Sequence, residues 1–294
     1  MDFTKEMKAR TQRINDLLLS YLPEEKGLQK TVIKALNYSM EAGGKRIRPM
    51  LMEETWKLFG GEGAQVEPFM AAIEMIHTYS LVHDDLPAMD NDEYRRGRKS
   101  THAAFGEAVG ILAGDALLNL AFETMANAIE RECSPRSARA MRVIAEKAGI
   151  FGMIGGQMAD VEAEGKTISL ETLDFIQEKK TAALIEASMM AGAVLAGADE
   201  TNIRRMEQVG SYVGKAFQIQ DDILDVTSTT EVLGKPVGSD EKNQKSTYVT
   251  LLGMEKARTQ VQELTSSAME NLRLAGPENP FLMELILSLM QRKY

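Results

Sequence analysis

The chain has 294 residues, with 34 Lys and Arg against 43 Asp and Glu, and its formal charge of -9 excludes the broad basic face that non-specific nucleic-acid binding needs. Hydrophobic residues make up 44% and charged residues 26%, ordinary globular usage, while 19 Met, 8 Pro and 6% aromatics favour an all-α fold over a sheet. Cys133 is the one cysteine, which excludes an intrachain disulfide and a cysteine zinc site and fits a reducing cytoplasm.

At the N-terminus, Met1 to Leu22 mixes Lys5, Glu6, Lys8 and Arg10 with apolar positions, unlike a signal or transit peptide. Ile14, Leu17, Leu18 and Tyr21 recur at i, i+3, i+4 and i+7, one face of a helix, and similar spacing returns along the chain. Breaks fall at Gly43-Gly44, Gly60 to Pro68, Glu132 to Ser137, Glu164 to Ser169, Gly197 to Asn202, Val226 to Ser246 and Leu274 to Pro280. They delimit about ten or more helices. No break reads as an interdomain linker and no fixed-period repeat appears, so residues 1–294 are expected to form a single helical domain.

Gly43-Gly44-Lys45-Arg46-Ile47-Arg48-Pro49 sets three cations at the first break, with Pro49 placed to open the next helix. An apolar helical run containing Ile73, Ile76 and Leu81 then ends in Asp84-Asp85-Leu86-Pro87-Ala88-Met89-Asp90. Carboxylates crowded at a helix C-terminus repel one another and oppose the macrodipole, so they ask for a cation. Pro87 disfavours helix at Leu86 and is expected to bend Asp90 back towards Asp84. Arg95-Arg96-Gly97-Arg98-Lys99 follows directly.

Thr181 to Ala198 is the best candidate membrane segment, yet it is rich in Ala and Gly and carries Glu186 near its middle. It reads as a helix buried on all sides, opened by Lys179-Lys180-Thr181, and no membrane span is expected. Further on, Asp221-Asp222-Ile223-Leu224-Asp225 sits among Phe217, Gln218 and Ile219, and Asp221 and Asp225 fall one turn apart on one helix face. The polar stretch 226–246, with Lys235 and Lys245, is long for a connection inside a compact domain and reads as a mobile loop or lid.

Either acidic cluster alone admits a plain reading as a solvated helix end. Two clusters in apolar helices, with hard oxygen donors, suit Mg²⁺, and the separate basic segments suit a diphosphate bridged through that metal. His83-Asp84 also resembles the dyad of HD-type phosphohydrolases, although such sites draw on further histidines and the chain has only His77, His83 and His102. A non-catalytic homologue that only binds a partner subunit is a third reading; the intact acidic clusters argue against it.

Taken in order, Gly-Gly-Lys-Arg-Ile-Arg-Pro from Gly43, Ser-Leu-Val-His-Asp-Asp-Leu-Pro-Ala-Met-Asp from Ser80, Arg-Arg-Gly from Arg95, Gly-Gly-Gln from Gly155, Lys180-Thr181, Gln218 with Asp-Asp-Ile-Leu-Asp from Asp221, and Leu-Gly-Lys from Leu233 resemble the trans-prenyltransferases, and within them the bacterial farnesyl diphosphate synthases. The resemblance implies a helical bundle around a central substrate cavity, usually a homodimer. It implies that Asp84, Asp85 and Asp90, and Asp221, Asp222 and Asp225, bind Mg²⁺ and through it the allylic diphosphate. Arg95, Lys180, Thr181, Gln218 and Lys235 match positions around that diphosphate or the developing cation, and Lys45, Arg48, His77 and Arg96 match the isopentenyl diphosphate site. The implied reaction adds isopentenyl diphosphate to dimethylallyl and then geranyl diphosphate by ionisation, condensation and proton loss. Tyr79, beside Ser80, matches the aromatic that floors the pocket at fifteen carbons. Geranylgeranyl diphosphate is the alternative product, and ordinary core packing the alternative role for Tyr79.

Overall fold

The computed structural model describes residues 2–227 and 246–291. The chain divides into two compact units, one of Met1–Glu53 and Glu62–Met141, the other of Glu54–Gly61 and Arg142–Tyr294. The all-α class is as the sequence indicates: the strands among the described residues are two of two residues each.

The first unit carries α1 (Phe3–Ser20), α2 (Lys30–Glu41), most of α3 (Ile47–Leu58), α4 (Glu67–Asp84), the ribbon β1 (Tyr94–Arg95) and β2 (Arg98–Lys99), α5 (Thr101–Phe105), α6 (Glu107–Glu132) and the start of α7 (Pro135–Ala148). Asp2 caps α1 by accepting from the Lys5 amide at 3.2 Å. Pro68 opens α4, and Phe69 to Ile76 are buried without interruption, so this helix runs through the core rather than along its surface. Each such Phe, Met or Ile contributes about 1.5–3 kcal/mol by leaving water.

Helix α6 packs on α4 through the buried stripe Gly110, Ala113, Gly114, Leu117 and Ala121. A methyl group at Gly114 would fall inside the His83 ring, so the small residue is what lets that histidine reach α6. His83 sits 3.1 Å from the Ile111 carbonyl oxygen and edge-on to Tyr79, with ring centres 5.8 Å apart. It is a packing and hydrogen-bonding residue beside the acidic cluster. Among the described residues α6, rather than the stretch 181–198, is the helix long and apolar enough to cross a bilayer, and 33% of its apolar window is buried. Its outer residues Ile111 and Leu112 remain 41% and 56% exposed.

In the second unit, α8 (Met153–Ala163) and α9 (Leu170–Ile176) lead through a π-helical turn, Gln177–Ala182, into α10 (Ala183–Ala196). Then come α11 (Glu200–Thr227), α12 (Tyr248–Leu252), α13 (Met254–Ala275) and α14 (Pro280–Met290). Twelve of the fourteen residues of α10 are buried, Glu186 among them, which agrees with the reading of 181–198 as a core helix. Its buried carboxylate is bonded to Lys147, which also reaches Glu207 at 2.7 Å.

Glycines set how closely these helices approach. A Cβ at Gly210 would stand 2.6 Å from Glu186 Cα, and one at Gly214 would stand 2.5 Å from Ala182 Cα, so α11 lies against α10 and the π turn backbone to backbone. At Gly156 of α8 a Cβ would be 2.6 Å from the Lys179 carbonyl carbon and nearer still to the Lys180 amide. Of the proposed lid 226–246, Val226 and Thr227 belong to α11, and Ser246 Oγ accepts from the Ile168 amide at 3.4 Å. Residues 228–245, including Lys235 and Lys245, lie outside the described residues.

Candidate active site

In the first unit, the Gly43-Gly44 break and the Arg96-Gly97 turn are brought together. The ribbon pairs Tyr94 with Lys99 and Arg95 with Arg98, leaving Arg96 and Gly97 as a two-residue loop with φ of 53° and 77°. Positive φ at both positions is the hairpin turn whose twist matches the strands; an L-residue in it pays about 1–2 kcal/mol. Arg96 accepts that strain, and its guanidinium donates to the Gly43 carbonyl. Gly44 has φ of 132°, a backbone that L side chains rarely adopt, which accounts for the second glycine, and a Cβ there would also stand 2.8 Å from the same guanidinium.

These segments surround a cavity of about 420 Å³ lined by Lys45, Arg46, Arg48, Glu74, His77 and Arg96, with Ala42, Gly44 and Ile47 completing the wall. The four residues matched to the isopentenyl diphosphate site therefore share one cavity. Burial draws the Arg48 pKa down to about 10, Glu74 opposing and Arg96 adding to the effect, so Arg48 is still a cation at neutral pH. Its Nε is buried without a hydrogen-bond partner among the described residues, a donor suited to an incoming anion. Burial first, and then the charges of Arg48, Arg96, Arg46 and Arg95, hold His77 well below the usual histidine range, so its ring is neutral.

The first acidic cluster follows α4. The expected bend occurs: the Asp90 amide donates to the Asp84 carbonyl at 2.9 Å, closing the loop that Pro87 opens. Asp85 is 2% exposed and accepts from Arg95 Nε at 2.6 Å, with Arg95 Nη2 at 2.5 Å. Burial raises the Asp85 pKa despite that partner. Tyr79, five residues before Asp84, is 6% exposed, and its hydroxyl has no partner among the described residues; burial, with Asp84 adding, pushes its pKa up to about 12. Ser80 Oγ bonds back to the His77 carbonyl at 2.9 Å.

In the second unit, the π turn and α11 bring Thr181 and Gln218 together, Gln218 Nε2 donating to Thr181 Oγ1 at 3.0 Å. Lys180 Nζ reaches Asp160 of α8 at 2.6 Å. The π turn widens the helix at these residues, a distortion often found at functional sites. Asp221, Asp222 and Asp225 lie on the last two turns of α11, Asp222 and Asp225 buried and Asp221 half-buried.

Sequence reasoning missed Tyr248. Its amide donates to Asp222 Oδ2 at 2.7 Å and its hydroxyl to Asp174 Oδ1 at 2.6 Å, where Lys215 also binds at 2.6 Å. Burial, then Asp174, keeps this phenol far above its ordinary pKa. Glu74 and Asp160 were also missed, and Arg46 was read only as one of three cations at the Gly43–Pro49 break; the sequence signal for Glu74 was a charged residue inside an apolar helix.

Among the described residues, no three Asp, Glu, His or Cys side chains stand close enough to hold a metal unaided. Carboxylate oxygens without imidazole or thiolate fit a metal completed by waters and phosphate oxygens, as Mg²⁺ commonly is, and do not fit a closed zinc cage.

The first unit thus sets a cationic cavity and an aspartate-rich helix end on an all-helical scaffold. The polyprenyl synthetase family model matches residues 29–275, and the chain belongs to that family. It is 44% identical to farnesyl diphosphate synthase from Geobacillus stearothermophilus, over 97% of this chain and 96% of the relative. It is 43% identical to geranylgeranyl diphosphate synthase from Cyanophora paradoxa, over 90% of this chain and 87% of the relative. Among solved structures, geranyltransferase from Helicobacter pylori, complexed with magnesium and isoprenyl diphosphate, matches with a TM-score of 0.83 and 32% identity over 99% of this chain and 97% of that one. Family membership sets aside the phosphohydrolase reading of His83-Asp84.

Proposed function

We propose that this chain is a Mg²⁺-dependent farnesyl diphosphate synthase, condensing isopentenyl diphosphate with dimethylallyl and then geranyl diphosphate. The cavity that joins Lys45, Arg48, His77 and Arg96 carries this reading: neutral His77 as a hydrogen-bonding group and three cations suit one diphosphate. In the first unit Asp84, Asp85 and Asp90, and in the second Asp221, Asp222 and Asp225, are the carboxylates that would hold magnesium, which would supply positive charge to a departing diphosphate.

Arg95 of the first unit and Lys180 of the second are cations suited to a leaving diphosphate, whose charge develops in the transition state, and Lys235 lies outside the described residues. Thr181, Gln218 and the Lys180 carbonyl turn oxygen dipoles to the allylic cation, and the Thr181–Gln218 hydrogen bond holds two of them in register. No protein nucleophile takes part. The isopentenyl double bond attacks the cation, and the proton lost from the new skeleton passes to the departed diphosphate.

Identity to relatives does not separate fifteen- from twenty-carbon products, since both kinds stand near 44%. The buried Tyr79 ring favours fifteen. Residues 1–294 act as one polyprenyl synthase domain, a reading supported by a family match that runs through both compact units. Exposed Ile111 and Leu112 favour a homodimer, and the lone thiol of Cys133 favours the cytoplasm.

The test is incubation with labelled isopentenyl diphosphate and dimethylallyl diphosphate, with Mg²⁺ or EDTA. Label in a fifteen-carbon product with Mg²⁺ alone is expected. A twenty-carbon product would overturn the length assignment, and phosphate release without chain growth would overturn the synthase reading.

A further inference from the structure

One cation of the Gly43–Pro49 motif faces a different task from its neighbours. Arg46 is 4% exposed and adopts a left-handed backbone with φ of 49°. All three of its guanidinium nitrogens are engaged: Nε with Asn15 Oδ1 of α1 at 2.7 Å, Nη1 with Glu74 Oε1 of α4 at 2.7 Å, and Nη2 with the Met40 carbonyl of α2 at 2.5 Å. The Arg46 and Glu74 side chains are each only 3% exposed. Glu74 is the one acidic residue among those lining the cavity.

A buried ion pair is costly to desolvate, and a packed apolar pair often serves stability as well or better. Three acceptors at fixed directions also need the planar fork of arginine; lysine could not span them. Geometry therefore explains the pair better than stability does. Lys45, immediately before Arg46, and Arg48, two residues after it in the first turn of α3, line the cavity, and the left-handed turn sets where each enters it.

We propose that Arg46 and Glu74 are positioning residues: the buried pair locks the left-handed turn and so holds Lys45 and Arg48 on the anion cavity, without either partner binding the anion. This rests on the reading of the cavity as a diphosphate site.

The sign of one substitution separates positioning from simple electrostatics. Were Glu74 only a negative charge in the wall, Glu74→Gln would make the cavity more positive and tighten anion binding. As an anchor, it loses its charge but keeps a neutral acceptor, so its hold on Arg46 loosens and binding weakens by about five- to ten-fold, the difference between a charged and a neutral hydrogen bond. Titration calorimetry with inorganic pyrophosphate in EDTA reads this without metal-bridged sites, with Arg48→Ala identifying the heat that belongs to this cavity. Weaker binding by folded Glu74→Gln, and by Arg46→Lys with its charge retained, is the expected result. Unchanged or tighter binding by Glu74→Gln would overturn the proposal. Failure of the unaltered chain to bind pyrophosphate at Arg48 would overturn the reading of the cavity itself, and the proposal with it. The Glu74→Gln change keeps the side-chain shape and one acceptor oxygen, so this variant is expected to fold; Arg46→Lys, retaining charge, gives the second measure.

Discussion

Replacing Gly156 by alanine opposes two general expectations. Alanine inside a helix is ordinarily worth about 0.5–1 kcal/mol over glycine, so Gly156→Ala in α8 should stabilise on propensity alone. Here the new methyl would lie 2.6 Å from the Lys179 carbonyl carbon and closer to the Lys180 amide, against a normal separation of about 3.5–4.0 Å. Both neighbours are backbone, so no side-chain rotation relieves the overlap, and α8 or the π turn must shift by roughly 1 Å. Overpacking of this kind costs about 1–3 kcal/mol, which set against the propensity gain leaves a net loss of up to about 2.5 kcal/mol. Each kcal/mol moves Tm by roughly 2–4 °C in a protein somewhat smaller than this. The displaced segment carries Lys180 and Thr181, and a misplacement of about 1 Å can cost about 100-fold in rate. Thermal unfolding and steady-state kinetics on the same preparation test the argument. A raised Tm with kcat unchanged would refute it.

Three further outcomes follow from buried groups. Tyr79→Phe removes a buried hydroxyl that has no partner among the described residues, so chemical denaturation should show stability unchanged or raised by about 1 kcal/mol, and the product should keep its length; Tyr79→Ala should lengthen it. His77 binds its proton only well below 6.5 in the folded chain, whereas the unfolded chain binds it near 6.5, so the folded state loses stability as pH falls below 6.5 and keeps this contribution in full above it. NMR should find the His77 ring neutral at pH 6.5, and inorganic pyrophosphate, by offsetting the arginines, should raise its pKa. Tyr248→Phe deletes the donor to Asp174 while leaving Lys215 on that carboxylate and the amide bond to Asp222, so urea unfolding should report a loss of about 1.5–3 kcal/mol with kcat within a few-fold.

Helix ends were readable wherever glycine or proline punctuates the pattern: the breaks at Gly43-Gly44, Gly60 to Pro68 and Gly197 to Asn202 all separate helices in the structure. The burial of α10 followed from its uniform apolar sequence. The ribbon at 94–99 was not readable, because its turn holds Arg96 where Asn or Asp would normally announce a hairpin. Nor was the π turn, since no local residue preference specifies it; α8 and α11 press on it through Gly156 and Gly214. Single-residue chemistry showed in the acidic and basic motifs. The residues that hold those motifs in place, Arg46, Glu74, Asp160 and Tyr248, depend on partners up to 74 positions away, as Tyr248 and Asp174 show, and such pairings leave no periodic trace.

The central claim is that the chain joins carbon skeletons as diphosphate departs. Geranyl diphosphate and labelled isopentenyl diphosphate, mixed with purified protein and Mg²⁺, give the most direct measurement: diphosphate released and label in farnesyl product, counted together. The account predicts one labelled fifteen-carbon product for each diphosphate released, and neither in EDTA. Phosphate or diphosphate released with no label in a longer chain would contradict it.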